Sequence, residues 1–403
     1  MASRVGGFAS DLQRKFPRKS VCRGPAADFS SIPHPMFRQR TLASLRTQRA
    51  ASGARRALVG LDGFVDTIVT AVGQRRGAGT DFTAIATITE FAKRLAAAAG
   101  KSTNVELYPT MEKLGGNGPI MAGGLLALGS GVTYVGALGH PNVHPVFADL
   151  AKHAKVQSLC SAAHTTAVEF EDGKIMLGIM RSLDEVTTAK INEVVGADNF
   201  RKEIEAAGLV AIVNWTMLPH ATAILRDLAD HVLPKLPKTP RRFFFDLADP
   251  EKRTADDLRG ALTVFTRFEA FGRVTLGLNL KEAQQVFAVL GFAPVKEDEA
   301  GLRTMALDIR KMLAIDTVVV HPRESAACAH GDKTYWVPGP LAEKPLITTG
   351  AGDHFNAGFM TGQVLGLDPE GALTLGVCTS GHYVRTAKSP TLDDLETFLA
   401  NWR

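Results

Sequence analysis

The 403-residue chain has no apolar run approaching the roughly 18 residues that a membrane-spanning helix requires. Its Ala-rich stretch from Phe91 to Ala99 is broken by Lys93 and Arg94, so the sequence reads as soluble. Cysteine is scarce as well. Cys22, Cys160, Cys328 and Cys378 lie far apart, which excludes paired zinc-ligand spacing and a secreted disulfide framework. A reducing cytoplasm is the expected location, with the thiols acting as small buried hydrophobes. Aromatic residues make up 7% of the chain and form no stripe on which bases could stack, so nucleic acid is not an expected partner. Acidic residues are nearly missing from one place only: residues 1–56 carry twelve Lys or Arg against Asp11 and Asp28.

That asymmetry accounts for the net charge of +5, since the first 56 residues sum to +10 and the other 347 to −5. A mildly acidic body thus follows a basic arm. With Pro17, Pro25, Pro33 and Pro35 and little apolar periodicity, residues 1–54 read as a flexible extension. Arg-rich, acid-poor segments also address proteins to organelles, but nothing here marks a cleavage site.

What the chain does have is a hydrophobic content of 45%, arranged from Ala57 onward as short apolar runs alternating with longer amphipathic stretches. Ala57–Leu61, Val132–Gly136, Leu209–Asn214, Phe243–Leu247, Thr275–Leu278 and Thr317–Val320 are predicted buried strands. Pro119–Leu128, Ala221–Val232, Lys281–Leu290 and Gly301–Ala314 are predicted helices between them. Such alternation places helices on both faces of a mostly parallel sheet, with ligands at the carboxyl ends of its strands. One segment breaks the rhythm. Thr165–Met180 reads as a hairpin turning at Glu171, Asp172 and Gly173, and a hairpin outside the alternation is a candidate lid.

The strongest local signal runs Ile347-Thr348-Thr349-Gly350-Ala351-Gly352-Asp353-His354-Phe355-Asn356-Ala357-Gly358-Phe359. A turn of small residues lets backbone N–H groups converge on an anion, and the helix that follows adds its own unpaired donors and positive dipole end. Asp353 stands at the mouth of that nest, where it can accept a proton from an attacking hydroxyl. The plainer alternative is a tight turn with Asp353 as a helix cap.

This segment resembles the C-terminal signature of the ribokinase-like carbohydrate kinases, the phosphofructokinase-B family, and differs from it at Ile347, where the family has an aspartate beside a monovalent-cation site. The resemblance extends from about Arg55 onward. Gly115-Gly116-Asn117-Gly118 is similar to the family's glycine-rich substrate segment, and Leu61-Asp62-Gly63-Phe64-Val65-Asp66 to the end of its first strand. Asn279-Leu280-Lys281-Glu282 looks like its Asn-x-x-Glu element. The resemblance implies a ribokinase-like α/β fold over residues 55–403 with a small β lid near 63–75, 105–116 and 165–180. It implies that γ-phosphate passes from ATP to a hydroxyl of a sugar or sugar-like molecule. Asp353 would then be the base and Gly350, Ala351 and Gly352 the anion hole. Asp62, Asp66, Gly115, Gly116 and Asn117 would bind substrate, and Asn279 and Glu282 would hold Mg2+ through water. A nucleoside kinase and a catalytically silent sugar-binding regulator are the alternatives on the same fold, and a homodimer through the lid is an assembly this layout allows. His321-Pro322-Arg323-Glu324 stands where the family has Thr-x-Gly, and Asp246-Leu247-Ala248 lacks an Asn after the strand-ending Asp. Adenine contacts are therefore not assignable from the sequence.

Overall fold

A computed structural model describes residues 34–51, 53 and 55–402. Residues Phe37–Arg403 form one compact unit. Cys22 and the arm up to residue 33 lie outside the described residues.

Among the described residues the strands form two sheets. The larger has nine strands. From one edge they run Lys333–Pro338, Ser325–His330, Thr317–Val320, Arg273–Leu278, Arg242–Asp246, Leu209–Ile212, Arg56–Leu61, Gly131–Gly136 and Lys155–Ser158. From Thr317–Val320 across to Lys155–Ser158 every neighbouring pair is parallel; only the edge hairpin is antiparallel. All six predicted strands are present, shifted by a residue or two at their ends. Each is mostly apolar on both faces because both faces are covered. Phe243 and Phe245 enter one core cluster while Phe244 enters the other, the period-2 alternation of a strand sandwiched between helix layers. Burying a phenylalanine contributes about 2–3 kcal/mol, and Phe245 adds a stacked partner, Phe265, at 4.4 Å. The edge hairpin is not predicted, because Ser-Ala-Ala-Cys-Ala-His lacks the branched and aromatic residues that mark strands.

The smaller sheet has five strands. Phe64–Arg75 pairs antiparallel with Leu107–Gly115 and, at its far end, with Phe82–Ala84. Its other edge pairs parallel with Ala163–Phe170, which turns back into Gly173–Ile179. The segments read as lid thus form one sheet, backed by the helix Ile88–Ala96, and its small core is built around Val69, Ala71, Ile85, Phe91 and Val168. The Asp172 carboxylate accepts the Ile88 N–H at 2.9 Å, tying the hairpin turn to that helix.

The flexible reading of residues 1–54 needs correction over residues 34–51; residues 1–33 lie outside the described residues. A helix spans His34–Ala51, and Phe37, Thr41 and Leu45 are buried at 5%, 3% and 0% exposure. Their i, i+4, i+8 spacing makes one helix face, masked in the sequence by the arginines and by Thr41 in its middle. Phe37 meets Trp402 edge to face at 6.0 Å, and Arg46 pairs with Glu396 at 2.8 Å. Cys160, Cys328 and Cys378 are free and buried.

Candidate active site

Strand Arg56–Leu61 ends in Asp62, and the following strand carries Asp66. The antiparallel register sets Asp66 opposite Lys113 and Phe64 opposite Gly115. A Cβ on Gly115 would collide with the Asp66 carboxylate, and Gly116 has φ 94°, a left-handed conformation suited to glycine. Burial pushes the Asp66 carboxyl up; Lys113, a Thr165 hydrogen bond and Lys174 oppose this.

Asp62 takes a different role from the substrate contact the resemblance implies. It is fully buried, and its carboxylate accepts the Asn117 N–H at 3.0 Å, the Gly118 N–H at 2.9 Å and the Asn214 amide at 2.6 Å. These bonds cap the helix Asn117–Ala127 and leave the carboxylate facing protein. Burial raises its pKa to about 6, and the Asn214 and backbone hydrogen bonds hold it below what burial alone would give. Asn214 reaches it from a left-handed backbone, φ 58°.

Asp353 sits in the first turn of the helix Ala351–Leu365, behind Gly350 with φ 87°. Its carboxylate accepts the Asn117 side-chain N–H at 2.9 Å, so two motifs 236 residues apart share one hydrogen bond. Burial holds its carboxyl well above the usual carboxylate range; the Asn117 bond pulls it down, and Asp62 and Glu282 push it further up. The N–H groups of Gly350 and Gly352 meet no acceptor among the described residues, whereas the Ala351 N–H donates to Thr348 O at 3.2 Å and closes the turn. The open donors of the nest are those of the two glycines.

Asn279 and Glu282 form a capping box. The Asn279 side chain accepts the Glu282 N–H at 3.0 Å, and Glu282 accepts the Asn279 N–H at 2.9 Å and the Asp249 N–H at 3.1 Å. This pair starts the helix Leu280–Val289. It also lines a cavity of about 420 Å³ together with Asn117, Asp246, His321 and Gly350–Asp353, within the range of small-molecule sites.

Asp246 is the residue that sequence reasoning did not place in the site. It ends strand Arg242–Asp246, is 4% exposed, and accepts the Asn356 amide at 3.1 Å through one oxygen. Its other oxygen has no hydrogen-bond partner among the described residues. Burial drives its pKa up, and Glu282 and Asp353 add repulsion. Buried carboxylates gathered in a cavity, with one oxygen unsatisfied, fit a hard divalent cation, which takes oxygen ligands and neutralises their mutual repulsion.

A doubly wound sheet joined to a smaller β sheet at the carboxyl end of strand Arg56–Leu61 is the ribokinase-like fold. Solved structures share it: a carbohydrate kinase from Agrobacterium tumefaciens is 18% identical with a TM-score of 0.60, covering 86% of this chain and 97% of that one. Ribokinase from Arabidopsis thaliana, solved with ribose and ATP, is 15% identical with a TM-score of 0.60, covering 86% and 99%. The prokaryotic ketohexokinase family model matches residues 39–402, and the chain belongs to that family. A ketohexokinase from Haloferax volcanii is 30% identical over 349 residues, 86% of this chain and 91% of that protein. No helix among the described residues is long and apolar enough to cross a membrane.

Proposed function

We propose that this chain transfers the γ-phosphate of ATP to a hydroxyl of a ketohexose, with Asp353 as general base. The observation that carries this reading is Asp353 at a helix head, bonded to Asn117 and flanked by the open N–H groups of Gly350 and Gly352. Asp66, Gly115, Gly116 and Asn117 orient the sugar beneath the lid. The Asp353 carboxylate takes the proton of the attacking hydroxyl, and burial, which raises its carboxyl above the usual range, makes it the stronger base. The two glycine donors and the helix dipole stabilise charge on the transferring phosphoryl group. Asp246 and Glu282 would hold Mg2+, partly through water, and that ion supplies charge neutralisation between the phosphates.

Ketohexose is chosen over other sugars on the family match and the Haloferax relative. The exposed apolar residues Met111, Met176, Leu177 and Ile179 on the lid sheet suit contact with a second copy of the chain. An ATP-consumption assay of purified protein over a panel of ketohexoses, aldohexoses, pentoses, sugar phosphates and nucleosides tests the substrate. A ketohexose should give the highest kcat/KM; preference for a nucleoside or a sugar phosphate would overturn the assignment while leaving phosphotransfer intact.

A further inference from the structure

We propose that Tyr383 and His354 are positioning residues for the anion turn, Tyr383 aiming the open Gly350 N–H at the phosphoryl group in transfer and His354 holding the turn and the Tyr383 ring in place; this rests on the anion-site reading above. A peptide unit is planar and trans, so fixing its carbonyl fixes the N–H on the opposite side. The Tyr383 hydroxyl donates to Thr349 O at 3.0 Å, and the N–H of that same peptide is the open donor of Gly350. The next carbonyl, Gly350 O, accepts two bonds: the His354 backbone N–H at 3.0 Å and the His354 ring Nδ1 at 2.8 Å. The first plane carries the open Gly350 N–H, and the second carries the Ala351 N–H that closes the turn on Thr348 O, so Tyr383 aims the donor and His354 fixes the turn that presents it.

The ring chemistry is determined by its partners. A carbonyl only accepts, so Nδ1 carries the hydrogen and Nε2 accepts the Ser389 hydroxyl at 2.8 Å. Burial pushes the imidazole pKa down to about 4, which keeps this tautomer neutral at working pH. The His354 and Tyr383 rings stack at 3.6 Å with 12° between planes, so each restrains the other. Behind them lies a second cavity of about 700 Å³, bordered by Ile347, Thr349, His354, Tyr383 and Ser389. With space at its back, the turn depends on directed hydrogen bonds more than on close packing. Nothing in the family resemblance assigns this pair a role.

Three variants separate aiming from mere stability. Asn places an amide near the position of Nδ1 and can still donate to Gly350 O, whereas Gln places it near Nε2 and keeps only the Ser389 contact. His354→Gln and Tyr383→Phe should each lower kcat about 10-fold, a fraction of the loss caused by deleting a transition-state donor outright. The sugar KM should stay within about threefold, and His354→Asn should recover kcat to within about threefold of the parent. Equal kcat for the Asn and Gln variants, or parental kcat in Tyr383→Phe, would overturn the clamp. Asp353→Asn run in the same assay keeps the two readings apart. If it is inactive while His354→Gln and Tyr383→Phe turn over at the parental rate, only the clamp fails; if it stays active, the anion-site reading falls and the clamp with it.

Discussion

The two sheets of this molecule differ in how much they bury, although Asp66 of the smaller one is as buried as Asp353. The nine-stranded sheet is buried on both faces and holds, at its carboxyl end, Asp62, Asp246 and, through the adjoining helices, Glu282 and Asp353, all at 6% exposure or less. The five-stranded sheet has a small core of its own and leaves Met111, Met176, Leu177 and Ile179 at 47–69% exposure. The rigid sheet can hold charges that burial disfavours because packing on every side prevents their escape into water. The lid, with less buried area, is suited to opening, selecting a substrate and excluding water when closed. On the proposed function, chemistry and selection fall to different sheets, and substitutions in each should leave different kinetic signatures.

The largest effect belongs to the rigid sheet's end. Asp353→Asn should keep the fold, checked by circular dichroism, and lower kcat by roughly 10²–10⁴-fold, the scale for losing a positioned base. Turnover above about a third of the parent would remove Asp353 from that role. In the lid, Asp66→Asn should raise the sugar KM by about 10–100-fold with a smaller change in kcat, since one charge-assisted hydrogen bond contributes about 1.5–3 kcal/mol. A fall in kcat at unchanged KM would move Asp66 to the chemical side and dissolve the division.

A stability measurement sharpens the same contrast. Burial raises the folded-state pKa of Asp246, so the folded protein binds that proton more tightly than the unfolded chain. Its contribution is therefore favourable below the ordinary carboxylate pKa and is lost as pH rises toward the folded value. Asp246→Asn should raise the metal-free Tm at pH 8, by an amount on the order of 1 kcal/mol, and change it little at pH 4. It should also weaken the rise in Tm on adding Mg2+. A lower Tm at pH 8 would show that the ionised carboxylate is stabilising where it stands. The smallest effect concerns monovalent ions. The Ile347 side chain supplies no oxygen, and the carbonyls of Thr349 and Gly350 already accept protein donors. Replacing potassium by tetramethylammonium at equal ionic strength should change kcat/KM by no more than about twofold. Ten-fold activation would reveal another ligand set.

What the sequence made legible follows the same divide. Strands such as Arg242–Asp246 could be read because consecutive interior residues, here Phe243 to Phe245, are apolar toward both faces, which a sheet covered on both faces requires. Asp353 could be read because five neighbouring residues share its motif. Asp246 could not: a single aspartate after a strand is common, and only the parallel order of the sheet brings it beside Glu282 and Asp353. Asp62, Asn279 and Glu282 were legible as motif members, but a motif does not say where its hydrogen bonds go. The coordinates send them largely to helix ends. The stripe of Phe37, Thr41 and Leu45 was obscured by the composition around it.

The Asn117–Asp353 hydrogen bond also bears on how the chain becomes active. Its partners are 236 residues apart, and Asp62 must meet Asn214 across another 152. Contacts of such sequence separation form late, after the closure entropy of long loops has been overcome. On the proposed reading, a species that has not yet joined Asn117 to Asp353 would not turn over substrate. Enzyme activity in a refolding experiment should therefore lag behind recovery of helical signal, and would report completion of the whole sheet.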